Sequence, residues 1–334
     1  MVFQIRNQNG ENLIQKLTHN RIDVGGLSIG FQRTTRVPEG QINDLPAGLG
    51  YFPVFKVGDF KSGAPENWRE EGYFMPMYRQ EAMWISFGHP DVPKALIVGA
   101  GNINAVTGKP FDPSKEKLAG KRRKKSELEI KLETPQNYMV VPPQPWLDGW
   151  KAEDGKIYQF VAAELGSGET VEGQITGEET AGGIQLIVYD PKDGQNLIHA
   201  TRPHEYVTGG FYSGLKGGNL MMCSFSAETP ATKSFMARSM GLGRGGEISQ
   251  KIYPDPHGIE VWKKSPTVVD IVYLVSSEDF KQVTGYEAPP TPVSYQEYQK
   301  QGLPWFDLHD QKYKDTKGSG IFEKLKPVGE GKAK

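Results

Sequence analysis

No apolar run in this chain extends far before a glycine, a proline or a polar turn interrupts it. Gly (40) and Pro (24) together make about 19% of the 334 residues, against about 12% in an average protein. They are spread along the whole length, which argues against a disordered tail joined to an ordinary domain. It is the pattern of many short strands connected by tight loops. No strand series alternates with long amphipathic helices, so a doubly wound parallel sheet is not expected. The expected fold is all-β or β-dominated: a decorated β-sandwich with long Gly/Pro-rich loops, few short helices and a C-terminal arm.

Lys156–Ala163 (KIYQFVAA) and Gly183–Asp190 (GIQLIVYD) read as strands, the second central because it is more continuously apolar. Glu169–Thr176 (ETVEGQIT) alternates, with Val171, Gly173 and Ile175 on one side, and is expected as a strand with one wet face. Residues 176–183 then read as a hairpin loop and 190–194 (DPKDG) as a turn. Further strands are expected over residues 23–31, 51–57, 73–78, 82–87, 95–103, 138–141, 247–253, 258–262 and 268–276. A short helix should start at Ser276 and end near Gly285, and a second should run from Ser294, with Glu297 completing a capping box, to Gly302. Two more short helices are conceivable, over 113–125 and within 227–240.

The β-rich body is placed at residues 1–285, with room for two packed sub-domains divided near the polar stretch 112–136. Residues 286–334 form a Pro-rich connector and a C-terminal arm. Trp305 and Phe306 make the arm too apolar to float free. It should dock on this body or on a neighbouring copy, with the polar end 324–334 mobile unless captured.

The formal net charge is −1 and the pI about 6.6. Sequence-specific nucleic-acid binding is therefore disfavoured, since phosphate neutralisation needs many cations. No stretch reaches the roughly 18 apolar residues of a membrane-spanning helix. No secretory signal is visible, so the chain is expected to be cytoplasmic or exported by a non-classical route. One cysteine, Cys223, forms no internal disulfide and supports no multi-cysteine metal site; it reads as a small buried hydrophobe.

Gly241, Gly243, Arg244, Gly245 and Gly246 sit in a stretch that satisfies the letters G-x-G-x-x-G. A dinucleotide site needs a strand before these glycines and a helix after them. Here a strand candidate follows, and Pro254 and Pro256 block a helix. The stretch reads instead as a tightly turning loop, or as a place where backbone approaches a ligand or a second subunit. Residues 101–110 fail as a phosphate loop, because Pro110 stands where a magnesium-binding hydroxyl belongs. The basic run Lys121–Lys125 reads as a solvated loop, or as a contact for an anionic polymer or an acidic surface.

The six histidines form no H-E-x-x-H motif. His199, His204 and Glu205 are a weak candidate metal set, and no cofactor is expected. Tyr253–Gly258 (YPDPHG) places Asp255 and His257 beside two prolines, either as an acid–base pair or as a turn, with the turn favoured. No G-x-S-x-G nucleophile elbow is present. Asp148, Asp190, Asp255, Glu260 and Asp307 are carboxylates that a glycosidase could pair, at separations sequence does not give. Trp146 and Trp150 flank Asp148. Exposed, they would form a carbohydrate or protein platform; buried, they would plug one end of a sandwich.

Residues 45–52 (LPAGLGYF), 144–149 (QPWLDG), 159–177, 240–258 (MGLGRGGEISQKIYPDPHG) and 303–308 (LPWFDL) together resemble an uncharacterised family of microbial proteins. The resemblance covers most of the chain and implies one integrated unit. It implies no activity and assigns no residue a role.

Three functions follow as expectations. The leading one is a non-enzymatic structural or interaction protein that self-associates into a homo-oligomer or larger assembly. It would use Gly241, Gly243, Arg244, Gly245, Gly246, Trp305 and Phe306. The alternative is a carbohydrate-binding or carbohydrate-active protein using Trp146, Asp148 and Trp150, with a glycan as partner. The third is a metal-dependent enzyme.

Overall fold

Ile184–Tyr189 (IQLIVY) is buried at all six positions. Its pleat divides them: Ile184, Leu186 and Val188 enter the main apolar cluster, while Ile187 and Tyr189 join a second cluster on the opposite face. Lys94–Ala100 behaves alike, with Leu96, Val98 and Ala100 in the first cluster and Ala95 and Ile97 in the second. A strand covered on both faces has no need of polar alternates, which is why these runs are continuously apolar.

The computed structural model describes residues 19–121, 135–153, 155–195, 197, 239–290, 300, 305–306 and 314–329. Its strands are β1 (Ile22–Val24), β2 (Leu27–Thr34), β3 (Ile42–Asn43), β4 (Leu45–Pro46), β5 (Phe55–Lys56), β6 (Tyr73–Met77), β7 (Ala82–Phe87), β8 (Lys94–Ala100) and β9 (Ile103–Asn104). They continue with β10 (Met139–Val141), β11 (Trp146–Leu147), β12 (Gly149–Lys151), β13 (Lys156–Glu164), β14 (Ile184–Tyr189), β15 (Ser239–Ser249), β16 (Val268–Ser276) and β17 (Trp305–Phe306). Two α-helices are described, α1 (Val171–Thr176) and α2 (Ser277–Thr284). No described helix is long and apolar enough to cross a membrane.

The protein is strand-dominated, as expected. Fifteen strands hydrogen-bond into one sheet, whose main path runs β1-β2-β7-β13-β15-β16-β14-β8-β10. Pairing is antiparallel except where β3 joins β15 and β6 joins β16. The hydrogen bonding is continuous through this sheet and is not divided between two separate ones. Gly25, in the β1–β2 turn, comes close to the far half of the path: a Cβ there would stand 3.1 Å from Val268 Cγ2 and 3.4 Å from Val188 Cγ1. The sheet therefore curls over itself, and its first and last strands enclose the same main core. Strands from before and after residues 112–136 share this path, with β8 between β14 and β10.

The outer faces are also covered. Phe55, Trp68, Phe74, Tyr273, Phe280 and Val283 form one satellite cluster, in which Trp68 stacks on Tyr273 at 4.7 Å. α2 contributes Phe280 and Val283 to it. This helix begins where expected, with the Ser276 hydroxyl accepting from Glu278 N, and ends at Gly285 in the left-handed region.

Several local expectations are corrected. Residues 169–176 do not form a strand. Thr170 Oγ1 accepts from Gly173 N, and Gly177 at φ 82° returns its N–H to Gly173 O, so the segment closes as the helix α1. Val171 and Ile175 lie four apart and share a helix face against the main core. Gly241–Gly246 is not a loop but the middle of β15, and none of its glycines has a positive φ. Residues 258–262 contain a 3-10 turn at Ile259–Val261, and the strand expected over 247–253 stops at Ser249. The single strand expected over 23–31 is a hairpin, broken at Gly25 and Gly26, both with positive φ. The 95–103 run also breaks, at Gly101 and Asn102, which turn β8 into β9. The described part of 113–125 is not helical.

Candidate functional site

β15 lies mid-sheet, between β13 and β16. Four of its residues carry no side chain, and the spaces left are occupied by other parts of this chain. A Cβ on Gly243 would stand 2.2 Å from Val328 Cγ2 and 2.5 Å from the Glu169 carbonyl oxygen. On Gly246 it would meet the Pro38 carbonyl oxygen at 2.4 Å, and on Gly245 Val161 Cγ2 at 2.5 Å. Gly241 is less constrained, with Thr170 Cγ2 at 3.0 Å. Gly245 and Gly246 together oppose Gln159 of β13, a β-bulge. The Gln159 amide uses that kink to reach the 35–37 loop, accepting from Val37 N and donating to Thr35 O.

The segment that fills the space over Gly243 is residues 314–329. Its contacts begin at a buried charge. Lys151 Nζ has no exposed surface and lies 2.7 Å from Asp315 Oδ2. Asp315 Oδ1 accepts from Ile252 N, and Thr316 N donates to Ile252 O. Ser319 N donates to Lys151 O, and Gly318 passes so close to Ala152 that a Cβ would stand 1.7 Å from its carbonyl oxygen. Phe322 is fully buried with its ring 5.3 Å from that of Trp150. Gln174 of α1 holds Lys326 at both backbone groups, accepting from its N–H and donating to its C=O.

Arg244 grips the end of the segment. Its guanidinium donates to Leu325 O at 3.0 Å, and its own carbonyl accepts from Val328 N at 2.9 Å. The same guanidinium lies 4.0 Å from the centroid of the Tyr158 ring. Arg36 donates to Val328 O, and Glu169 accepts from Gly329 N. Val328 is buried against Ala82, Val161 and Ala163. The segment, which includes a 3-10 turn at Phe322–Lys324, is held by backbone hydrogen bonds, with Phe322 and Val328 filling apolar positions.

The structure thus brings Gly243 and Arg244 against the C-terminal segment of this same chain, while Gly241 faces Thr170 and Leu165, Gly245 faces Val161 and Gln159, and Gly246 faces Val37 and Pro38. It does not bring Trp305 and Phe306 onto β15. They form β17, paired antiparallel with β4 in a separate two-stranded ribbon. Lys151, Asp315, Phe322 and Val328 were not singled out by the sequence. Their signal was weak: Phe322 and Val328 stand among charged residues in a tail that reads as polar.

Trp146 and Trp150 are buried, so neither ring offers an exposed platform for a sugar. Trp150 packs edge-on to Phe160 and donates its indole N–H to Gly243 O. Trp146 donates its own to Asp148 Oδ2 at 3.0 Å. Asp148 is completely buried, its Oδ1 has no hydrogen-bond partner, and burial raises its carboxyl to about 8. Burial thus favours its protonated form near pH 7.

Asp255 is a turn anchor. It accepts from Tyr138 Oη, Trp262 Nε1 and His257 N, while its own N–H donates to Gln136. Asp190 is 2.6 Å from Lys94 and 3.5 Å from Lys263; burial would raise it, but these cations hold it below the usual carboxylate range. Glu260 gives its backbone carbonyl to Lys192. His199, His204, Glu205, Cys223, Asp307, residues 122–125 of the basic run, the helix expected over 294–302 apart from Lys300, and residues 227–238 of the helix expected within 227–240 lie outside the described residues; Ser239 and Met240 belong to β15. Among the described residues, no group of three or more His, Cys, Asp or Glu is placed to hold a metal ion.

Compared with protein-family models, curated proteins and solved structures, the chain matches none of them. No functional assignment reaches the 240–258 stretch from those comparisons.

Two outcomes are expected. Gly243→Ala should lower stability by about 1–3 kcal/mol through overpacking and speed proteolysis of the C-terminal segment; Gly241→Ala should do markedly less of both. Denaturant melts and limited proteolysis read this, and equal effects at the two sites would contradict it. The second outcome concerns pH. Asp148 holds its proton more tightly folded than unfolded, so its contribution is full below the ordinary carboxylate value near pH 4. It is lost as pH rises through about 8. Stability should therefore fall by several kcal/mol across that window, since each tenfold difference in proton affinity is worth about 1.4 kcal/mol. Asp148→Asn should flatten the slope, and an unchanged pH profile in this variant would contradict the assignment.

Proposed function

We propose that this chain is a non-enzymatic structural or interaction protein that self-associates into a homo-oligomer or larger assembly. Its paired surfaces are β15 at Gly243 and Arg244 and the C-terminal segment. One observation carries the reading: the space above Gly243 is filled by Val328 of the C-terminal segment, not by a side chain of the strand itself. A sheet that needed only stability would fill that space with its own apolar side chains. Here the filling comes from a piece of chain remote in sequence, held largely by hydrogen bonds to its backbone. Such a device suits a peptide segment. The partner is a second copy, because the segment that fits is one every copy carries. The near-zero net charge favours association of identical chains.

Light scattering of the full chain across a concentration series tests the proposal. The mass should rise above the 37.1 kDa of one chain toward multiples of it. A single-chain mass at every concentration overturns the proposal.

A further inference from the structure

We propose that Lys151 and Asp315 condense into an amide, an isopeptide bond that ties the C-terminal segment covalently to β12. The link lies within one chain and stands whether or not chains associate.

Lys151 is the nucleophile. It ends β12, where pairing with Ile157 of β13 and the bond from its N–H to Ala105 O fix its backbone. Its side chain is fully buried, and its Nζ lies 2.7 Å from Asp315 Oδ2. A lysine becomes reactive where burial strips away the hydration that keeps it an ammonium. Lys94 and Asp190 approach as closely, at 2.6 Å, but their side chains stay 14% and 21% exposed. Arg33 and Glu81 are buried together, but a guanidinium keeps its proton. The Lys151–Asp315 pair combines contact, burial and an amine.

The carboxyl group is held as firmly. Asp315 Oδ1 accepts from Ile252 N at 2.9 Å, which leaves Oδ2 facing the amine. The next residues are pinned too, Thr316 N to Ile252 O and Ser319 N to Lys151 O. One proton passed from Nζ to Oδ2 gives an amine and a carboxylic acid. Nζ then attacks Cγ and forms the C–N bond, while charge collects on Oδ1, where the Ile252 N–H meets it. The Cγ–Oδ2 bond breaks, and Oδ2 departs as water with two protons that began on Nζ. An ammonium and a carboxylate thus become one amide and one water, with no other reactant. Groups held in contact in this way react as if at about 10⁵–10⁸ M. The Asp315 side chain is 19% exposed, which gives the water an exit.

Mass spectrometry of the purified full chain, kept folded at neutral pH for several days and then denatured, tests this. The chain should be lighter than its sequence mass by one water. Digestion should give a branched peptide joining Lys151 to Asp315, with tryptic cleavage after Lys151 lost. The link closes a loop of 164 residues, so the linked chain should run ahead of Lys151→Arg on a denaturing gel. Wild-type chain held unfolded in denaturant is a second reference that needs no folded variant, and it should keep its water. Separate, unlinked peptides carrying Lys151 and Asp315 overturn the proposal. So does a lost water that maps elsewhere, such as the Asp193–Gly194 step, or the same loss in the unfolded chain.

Discussion

One methyl group added to Gly243 would collide with Val328 from one side and with the Glu169 carbonyl from the other. That steric limit ties the centre of the sheet to the end of the chain. β15 receives β13 on one edge and β16 on the other, so whatever covers it covers the middle of the fold. The cover also supplies Asp315 to Lys151, an ammonium with no access to water. A buried charge that loses its partner is penalised by about 3–5 kcal/mol. The segment is thus part of the folded body and not an appendage to it. Phe322 against Trp150, and Trp150 through its indole to Gly243, complete the same structure.

Much of the sheet could be read directly. β6, β7, β13, β14 and β16 fall where apolar, β-forming runs are bounded by turn residues, because burial on both faces leaves a signal that needs no partner to interpret. The helix α2 was legible from Ser276 to Gly285 because both of its caps are local. α1 was not. Val171, Gly173 and Ile175 fit a two-residue period as well as Val171 and Ile175 fit a four-residue one. The deciding contact, Thr170 Oγ1 to Gly173 N, is a single hydrogen bond.

The glycine strand misleads for a physical reason. Glycine in sequence signals freedom, and a loop is the ordinary use of it. In β15 the glycines serve close approach, with φ on the usual side, and the neighbours that demand it lie far away along the chain. The structure shows close approach by this chain's own residues: Val328 and Glu169 at Gly243, Val161 at Gly245 and Pro38 at Gly246. Trp146, Asp148 and Trp150 were legible as a group, but whether they faced water was not. The structure buries all three, and burial raises the Asp148 carboxyl.

Amide hydrogen exchange on the full chain at low concentration addresses the seat of the C-terminal segment most directly. The Val328 N–H bonds to Arg244 O, the Thr316 N–H to Ile252 O and the Ser319 N–H to Lys151 O. If the segment belongs to the body, these amides exchange as slowly as those of β14 and β16. Exchange at the rate of a free chain end, with the sheet still protected, would contradict the account at its centre.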